Sequence, residues 1–135
     1  GADTIVVVDG EILGKPRDVD HAVAMLSRLV GRGHEVLTAI ALAWSDARAI
    51  ESQVVATRVV MRAASREELV EYVALGESLD KAGAYALQGG ARRFVTEVVG
   101  SSTNVIGLPI DETLALLDRL GAGPASATAL PTEIP

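Results

Sequence analysis

The 135-residue sequence has no cysteine and only two histidines. Disulfides, thiolate catalysis and the usual cysteine–histidine zinc site are therefore excluded, while an oxygen-rich magnesium or manganese site stays open. Aromatic residues are scarce, at 3% of the chain: Trp44, Tyr72, Tyr85 and Phe94. They are not interleaved with basic residues, so no platform for stacking nucleic-acid bases is visible. Basic residues are outnumbered 12 to 18, giving a formal net charge of −6. The long-range field thus opposes binding to a nucleic-acid backbone or an anionic membrane, though local lysines or arginines can still hold a small anion. No run approaches the ~20 apolar residues needed to cross a bilayer, and no basic leader opens the chain. The expectation is a cytoplasmic protein without a membrane or nucleic-acid partner. Gly1 rather than Met stands first, which reads as a processed or truncated piece.

What is present suffices for a core: 49% hydrophobic against 22% charged residues in 14.0 kDa, the size of one ordinary domain. Residues 4–8 form a β-branched run closed by Asp9-Gly10, a pair suited to the positive φ of a tight hairpin turn, and Glu11-Ile12-Leu13 follows as a second strand. Gly14-Lys15-Pro16 breaks the pattern. From 18 to 30, Ala22, Met25, Leu26, Leu29 and Val30 fall on one helical stripe, with Asp18 or Asp20 as cap and Gly31 beyond the end. Residues 34–44 are apolar so continuously that they read as a strand covered on both faces. A turn at Ser45-Asp46-Ala47-Arg48 leads to a second long strand, residues 51–62, paired antiparallel with the first. There Thr57, Val59 and Met61 share one face and Arg58 and Arg62 the other. Ser65 and Glu68 have capping-box spacing, with Leu69, Val70 and Val73 as the buried helical face. Residues 83–90 read as a short helix or loop and 92–98 as a strand. A final helix follows Leu108-Pro109, with Leu114, Leu117 and Leu120 on adjoining positions. The domain occupies 1–120, and 121–135 is a loose Gly/Pro/Ala-rich tail.

Several polar clusters allow a chemical or an ordinary structural reading. Asp3 and Thr4 head a hydrophobic strand, where α/β folds often place chemistry; Asp3 could orient a water or bind a hard cation, or simply tie a turn. Lys15 sits on a stiff loop as a point charge for a phosphate, or as a solvated turn residue. Asp80-Lys81 could contact a metal or phosphate, or form a surface ion pair. Tyr85 can pack while its hydroxyl finds a partner, and Gln88 offers a donor and an acceptor. His34 reads as a satisfied structural histidine, with no third group to orient it as a base. Neither a Walker A loop nor a nucleophile elbow occurs, although 101–104 is rich in hydroxyls.

The stretches Gly1-Ala2-Asp3-Thr4, Asp9-Gly10-Glu11-Ile12-Leu13-Gly14-Lys15-Pro16, Gly31-Arg32-Gly33-His34-Glu35-Val36-Leu37-Thr38, Leu79-Asp80-Lys81-Ala82-Gly83-Ala84-Tyr85-Ala86-Leu87-Gln88-Gly89 and Asn104-Val105-Ile106-Gly107-Leu108-Pro109 stand in an order and spacing that resemble the Maf family of nucleoside triphosphate pyrophosphatases, once called septum formation inhibitors. The resemblance runs from residue 1 to about residue 120. It implies an α/β fold with a mixed twisted sheet flanked by helices, here the C-terminal portion of a two-lobed, often dimeric, structure. It also implies hydrolysis of a nucleoside triphosphate, dTTP or UTP by the Ala84-Tyr85 and Gln88-Gly89 wording, to the monophosphate and pyrophosphate with Mg2+ or Mn2+. By the same resemblance Asp3 is the base and a metal ligand, Asp80 a second metal carboxylate, Lys15 and Lys81 phosphate contacts, and Thr4 and Gln88 specificity positions. The family's Ser-x-Ser-Pro-Arg-Arg segment, with the acidic ligand and lysine after it, precedes the Gly-Ala-Asp-Thr motif and is absent here, nearly a full lobe. A separate N-terminal piece or a homodimer is therefore an expected partner. The competing expectation is a catalytically incomplete nucleotide-binding or regulatory module.

Overall fold

The computed structural model describes residues 1–43 and 50–119. The turn expected at 45–48, Trp44, Leu120 and the 121–135 tail lie outside the described residues. Strands β1 (Ala2–Val8) and β2 (Glu11–Leu13) form the expected hairpin. Asp9 and Gly10 both take positive φ, 51° and 75°, as a two-residue turn matched to strand twist requires. Helix α1 (Val19–Leu29) starts where the Asp18 side chain accepts the His21 N–H at 2.8 Å. Strands β3 (Gly33–Ala43) and β4 (Ile50–Met61) pair antiparallel along their whole lengths. Helix α2 (Arg66–Val73) carries the full capping box: Glu68 N–H to Ser65 Oγ at 3.2 Å, and Ser65 N–H to the Glu68 carboxylate at 2.9 Å. The Ser65 amide, with the Arg62 guanidinium, holds the Glu68 carboxyl below its usual pKa. After two 3₁₀ turns, Ala82–Ala84 and Gly90–Phe94, come β5 (Val95–Val99), α3 (Ser102–Ile106) and α4 (Ile110–Arg119).

The sheet order is β2-β1-β3-β4-β5. The α/β class is as expected, but each pairing is antiparallel rather than mixed. The register Thr4–Thr38–Val55 and Val6–Val36–Thr57 puts every buried strand residue on one face. Against it pack Ala22, Val23, Met25, Leu26 and Leu29 of α1 and Leu69, Tyr72 and Val73 of α2. Fully burying each large side chain contributes about 1.5–3 kcal/mol.

Four expectations need correction. Strand β3 is covered on one face only: His34, Val36, Thr38 and Ile40 are buried, while Glu35, Ala39 and Ala41 are exposed. Small alanines supplied the apolar run without needing a second layer. On α2, Tyr72 is buried and Val70 is 44% exposed. Residues 90–94 wind as a 3₁₀ turn before β5, because Phe94 must swing into the core against Tyr72 (edge-on, 5.8 Å). On α4 the buried residue is Leu116, and Leu114 is exposed.

Candidate active site

A cleft of about 390 Å³ opens at the edge of β1. Its origin is local. Beyond Leu13 the chain leaves β1, and the Gly14 carbonyl accepts instead from the Gly83 N–H at 3.1 Å. Gly83 has φ 71°, and a Cβ there would lie 2.8 Å from the Val6 side chain. Only glycine allows the Asp80–Ala84 segment to lie this close to the strand. That single hydrogen bond ties the loop carrying Lys15 to the segment carrying Lys81.

Beyond the partner strand this edge has no strand paired to it among the described residues. Gly1 and Ala41 exchange both backbone bonds (2.7 and 2.9 Å), so odd-numbered residues of β1 bond to β3 and even-numbered ones point away from it. Val6 and Val8 then meet β2, while the N–H and C=O of Thr4 face the side β2 has vacated. Both strand faces border the cleft at this edge, which is why Asp3 and Thr4, adjacent and oppositely directed, both line it.

The lining sorts into two chemistries. Asp3, Lys15, Asp80 and Lys81 form a charged rim, and Lys15 and Lys81 are the only lysines of the chain. The Asp80 carboxylate accepts from Lys81 at 3.2 Å. That bond and charge, with the more distant Lys15, hold the Asp80 carboxyl below its usual pKa. Inward lie Val6, Val36, Tyr85 and Val105, with the Thr4 hydroxyl as polar handle. Gln88, expected as a specificity residue, is exposed and does not line the cleft. The segment turns at Leu87, whose side chain goes into the core, and this directs Gln88 outward.

Two features under the cleft escaped the sequence reading. The Tyr85 hydroxyl meets His34 Nε2 at 2.7 Å. His34 is 2% exposed and its Nδ1 has no partner among the described residues, so there it is half-satisfied rather than the satisfied histidine expected. Burial, then the Arg58 charge, lowers its pKa to about 4; burial pushes the Tyr85 hydroxyl up. Both stay neutral at pH 7. The second feature is Asn104, fully buried at the centre of α3. Its side-chain amide reaches Val36 O (3.1 Å), Val55 O (2.9 Å) and Thr57 Oγ1 (3.0 Å), clamping α3 to β3 and β4. The hydroxyls of 101–104 serve this clamp, Ser101 accepting from the Asn104 N–H at 3.1 Å, and form no catalytic triad with His34.

No group of three or more His, Asp or Glu side chains placed to hold a metal ion occurs among the described residues. Asp3 and Asp80 supply carboxylates to one cleft. Magnesium commonly binds through one or two carboxylates together with substrate phosphates, so this oxygen donor set fits a hard divalent ion that arrives with a triphosphate. Among the described residues no helix is long and apolar enough to cross a membrane.

Lysines and carboxylates of this α/β domain converge on one strand-edge cleft. The profile described as Maf-like protein matches residues 1–120, and the chain belongs to that family. Curated relatives carry the name dTTP/UTP pyrophosphatase. That of Myxococcus xanthus (strain DK1622) is 54% identical over 120 residues, 89% of this chain and 60% of the relative. Those of Photorhabdus laumondii and Escherichia coli O157:H7 are each 50% identical over 122 residues, covering 90% of this chain and 62% and 61% of theirs. The chain thus spans about three fifths of the length of these relatives.

Proposed function

We propose that this chain carries the catalytic cleft of a nucleoside triphosphate pyrophosphatase acting on dTTP and UTP. The observation that carries the reading is the convergence of both lysines with Asp3 and Asp80 on one cleft. The relatives' name supplies the substrates. In the proposed reaction Asp3 accepts a proton from water as the water oxygen bonds to the α-phosphorus. The bond from that phosphorus to the bridging oxygen breaks, and pyrophosphate leaves with the electron pair. Lys15 and Lys81 neutralise charge that grows on the phosphoryl oxygens and the leaving group, where fixed cations act most strongly. Asp80 keeps Lys81 positioned until a phosphate competes for it. A bound Mg2+ or Mn2+, held by Asp3 and Asp80, would add Lewis-acid neutralisation of the same charge. The family resemblance adds a cytoplasmic homodimer to this reading.

The second reading is a nucleotide-binding or regulatory module without turnover, in which the same lysines and carboxylates of the cleft hold the nucleotide. Pyrophosphate release with magnesium or manganese, measured across dTTP, UTP, CTP, dATP and GTP, separates the two. Release from dTTP and UTP supports the pyrophosphatase. Binding without release selects the module.

A further inference from the structure

Thr4 and Thr38 are direct cross-strand partners at a site where β1 and β3 do not exchange backbone bonds, the position where facing side chains come closest. Their hydroxyls lie 2.9 Å apart. Thr38 is fully buried, and its hydroxyl also lies 3.2 Å from the Asn104 carbonyl oxygen. A hydroxyl has one proton. A carbonyl cannot donate, and the Asn104 oxygen has two lone pairs: one accepts the Gly107 N–H at 3.1 Å and the other takes the Thr38 proton. The Thr4 hydroxyl must then donate to Thr38. Its own proton is consumed, and it presents only lone pairs to the cleft. Gly107 lies beside that hydroxyl: a Cβ there would sit at ordinary contact distance, 3.9 Å, from the Thr4 oxygen.

We propose that Thr38 is a positioning residue that fixes Thr4 as a hydrogen-bond acceptor, and that Thr4 takes the imide N–H of a uracil or thymine ring. This rests on the pyrophosphatase reading above. An acceptor at Thr4 is mismatched to a phosphate oxygen, which at neutral pH offers mainly lone pairs, and this leaves the phosphates to the lysine rim. dTTP and UTP differ at the sugar 2′ position and the ring 5 position, so neither explains a shared preference. Both rings carry an N–H at position 3, where cytosine carries a bare nitrogen. The apolar groups open to the cleft beside Thr4, half-buried Val105 and exposed Ile106, suit a ring rather than a phosphate. Gln88, the other residue able to read a base, is turned away.

The test is titration of the chain with the α,β-methylene analogues of UTP and CTP in magnesium, for wild type, Thr38→Val and Thr38→Ser. Wild type is expected to prefer the uridine analogue by about tenfold, the scale of one mismatched hydrogen bond. Thr38→Val frees the Thr4 proton and should erase most of that preference by tightening the cytidine analogue. Thr38→Ser keeps the relay and should retain the preference. A structural role alone would weaken both analogues together. Equal wild-type affinities overturn the proposal without any variant, and so does an unchanged ratio in Thr38→Val. A change in turnover of both nucleotides at constant binding ratio also overturns it, because the attacking water would then be the donor. If neither analogue binds wild type, the pyrophosphatase reading itself falls.

Discussion

The rim of the cleft and its floor hold their polar groups in opposite ways. Asp3, Lys15 and Asp80 are exposed, and Asp80 and Lys81 pair with each other across 3.2 Å, with 74% and 36% of their side chains open. On the floor, Thr38, Thr57 and Asn104 are at most 1% exposed and each bonds to more than one partner. An exposed ion pair contributes little to stability and is readily exchanged for another charge. A buried, bonded amide resists exchange, because losing its partners leaves desolvated groups uncompensated. The rim is therefore free to exchange partners, and the floor keeps α3 and β1 in register while it does so.

The contrast can be broken by substitution. The largest effect is expected at Asp3: Asp3→Asn should lower turnover by roughly 10²–10⁴-fold, the range of general-base contributions, with an unaltered melting temperature. Turnover within a few-fold of wild type would remove Asp3 as the base. Lys81→Ala should lower kcat/KM by about 10²-fold through lost charge neutralisation and leave urea midpoints unmoved. A large shift in midpoint would show that the rim is structural after all. On the floor the order reverses. Asn104→Ala should cost about 2–3 kcal/mol in urea unfolding, from several bonds lost in a buried site; a loss under 0.5 kcal/mol would mean that α3 is held by packing alone.

An effect confined to acid pH sharpens the floor's neutrality. His34 titrates at about 4 in the fold against 6.5 in a free chain. Below pH 6.5 the unfolded state takes up a proton that the folded state refuses, so stability falls from pH 6.5 towards 4 and is flat in this respect above 6.5. The loss is on the order of 2–3 kcal/mol at pH 4. His34→Gln should flatten that part of a stability-versus-pH curve. An unchanged slope would assign acid sensitivity to the carboxyls held low by Arg32 (Asp9), by the Ser65 amide with Arg62 (Glu68) and by Lys81 (Asp80), which lose stability in the same direction.

Local chemistry was legible in the sequence, and long-range chemistry was not. Asp9-Gly10, the Ser65–Glu68 box and the Asp18 cap are contained within four residues, and each is found as read. Helix α3 was missed because Ser-Thr-Asn-Val-Ile has the composition of a strand, and what makes it a helix is a clamp to residues 47 to 68 positions away. The rim residues came from ordered motifs matched to a family, and the cleft places Asp3, Thr4, Lys15, Asp80 and Lys81 together. The same matching named Gln88, which the turn of its segment directs outward. The pairing of Thr4 with Thr38 is a matter of register between strands 34 residues apart, and no local pattern in either strand encodes it.

The vacated edge of β1 has a consequence for how the cleft tolerates sequence change. The N–H and C=O of Thr4 stand at the cleft because of where β2 stops, not because of which residue occupies position 4. This donor and this acceptor survive every substitution there except proline. Part of the cleft's polar lining is thereby heritable through the path of the main chain alone, beyond the reach of most point mutations.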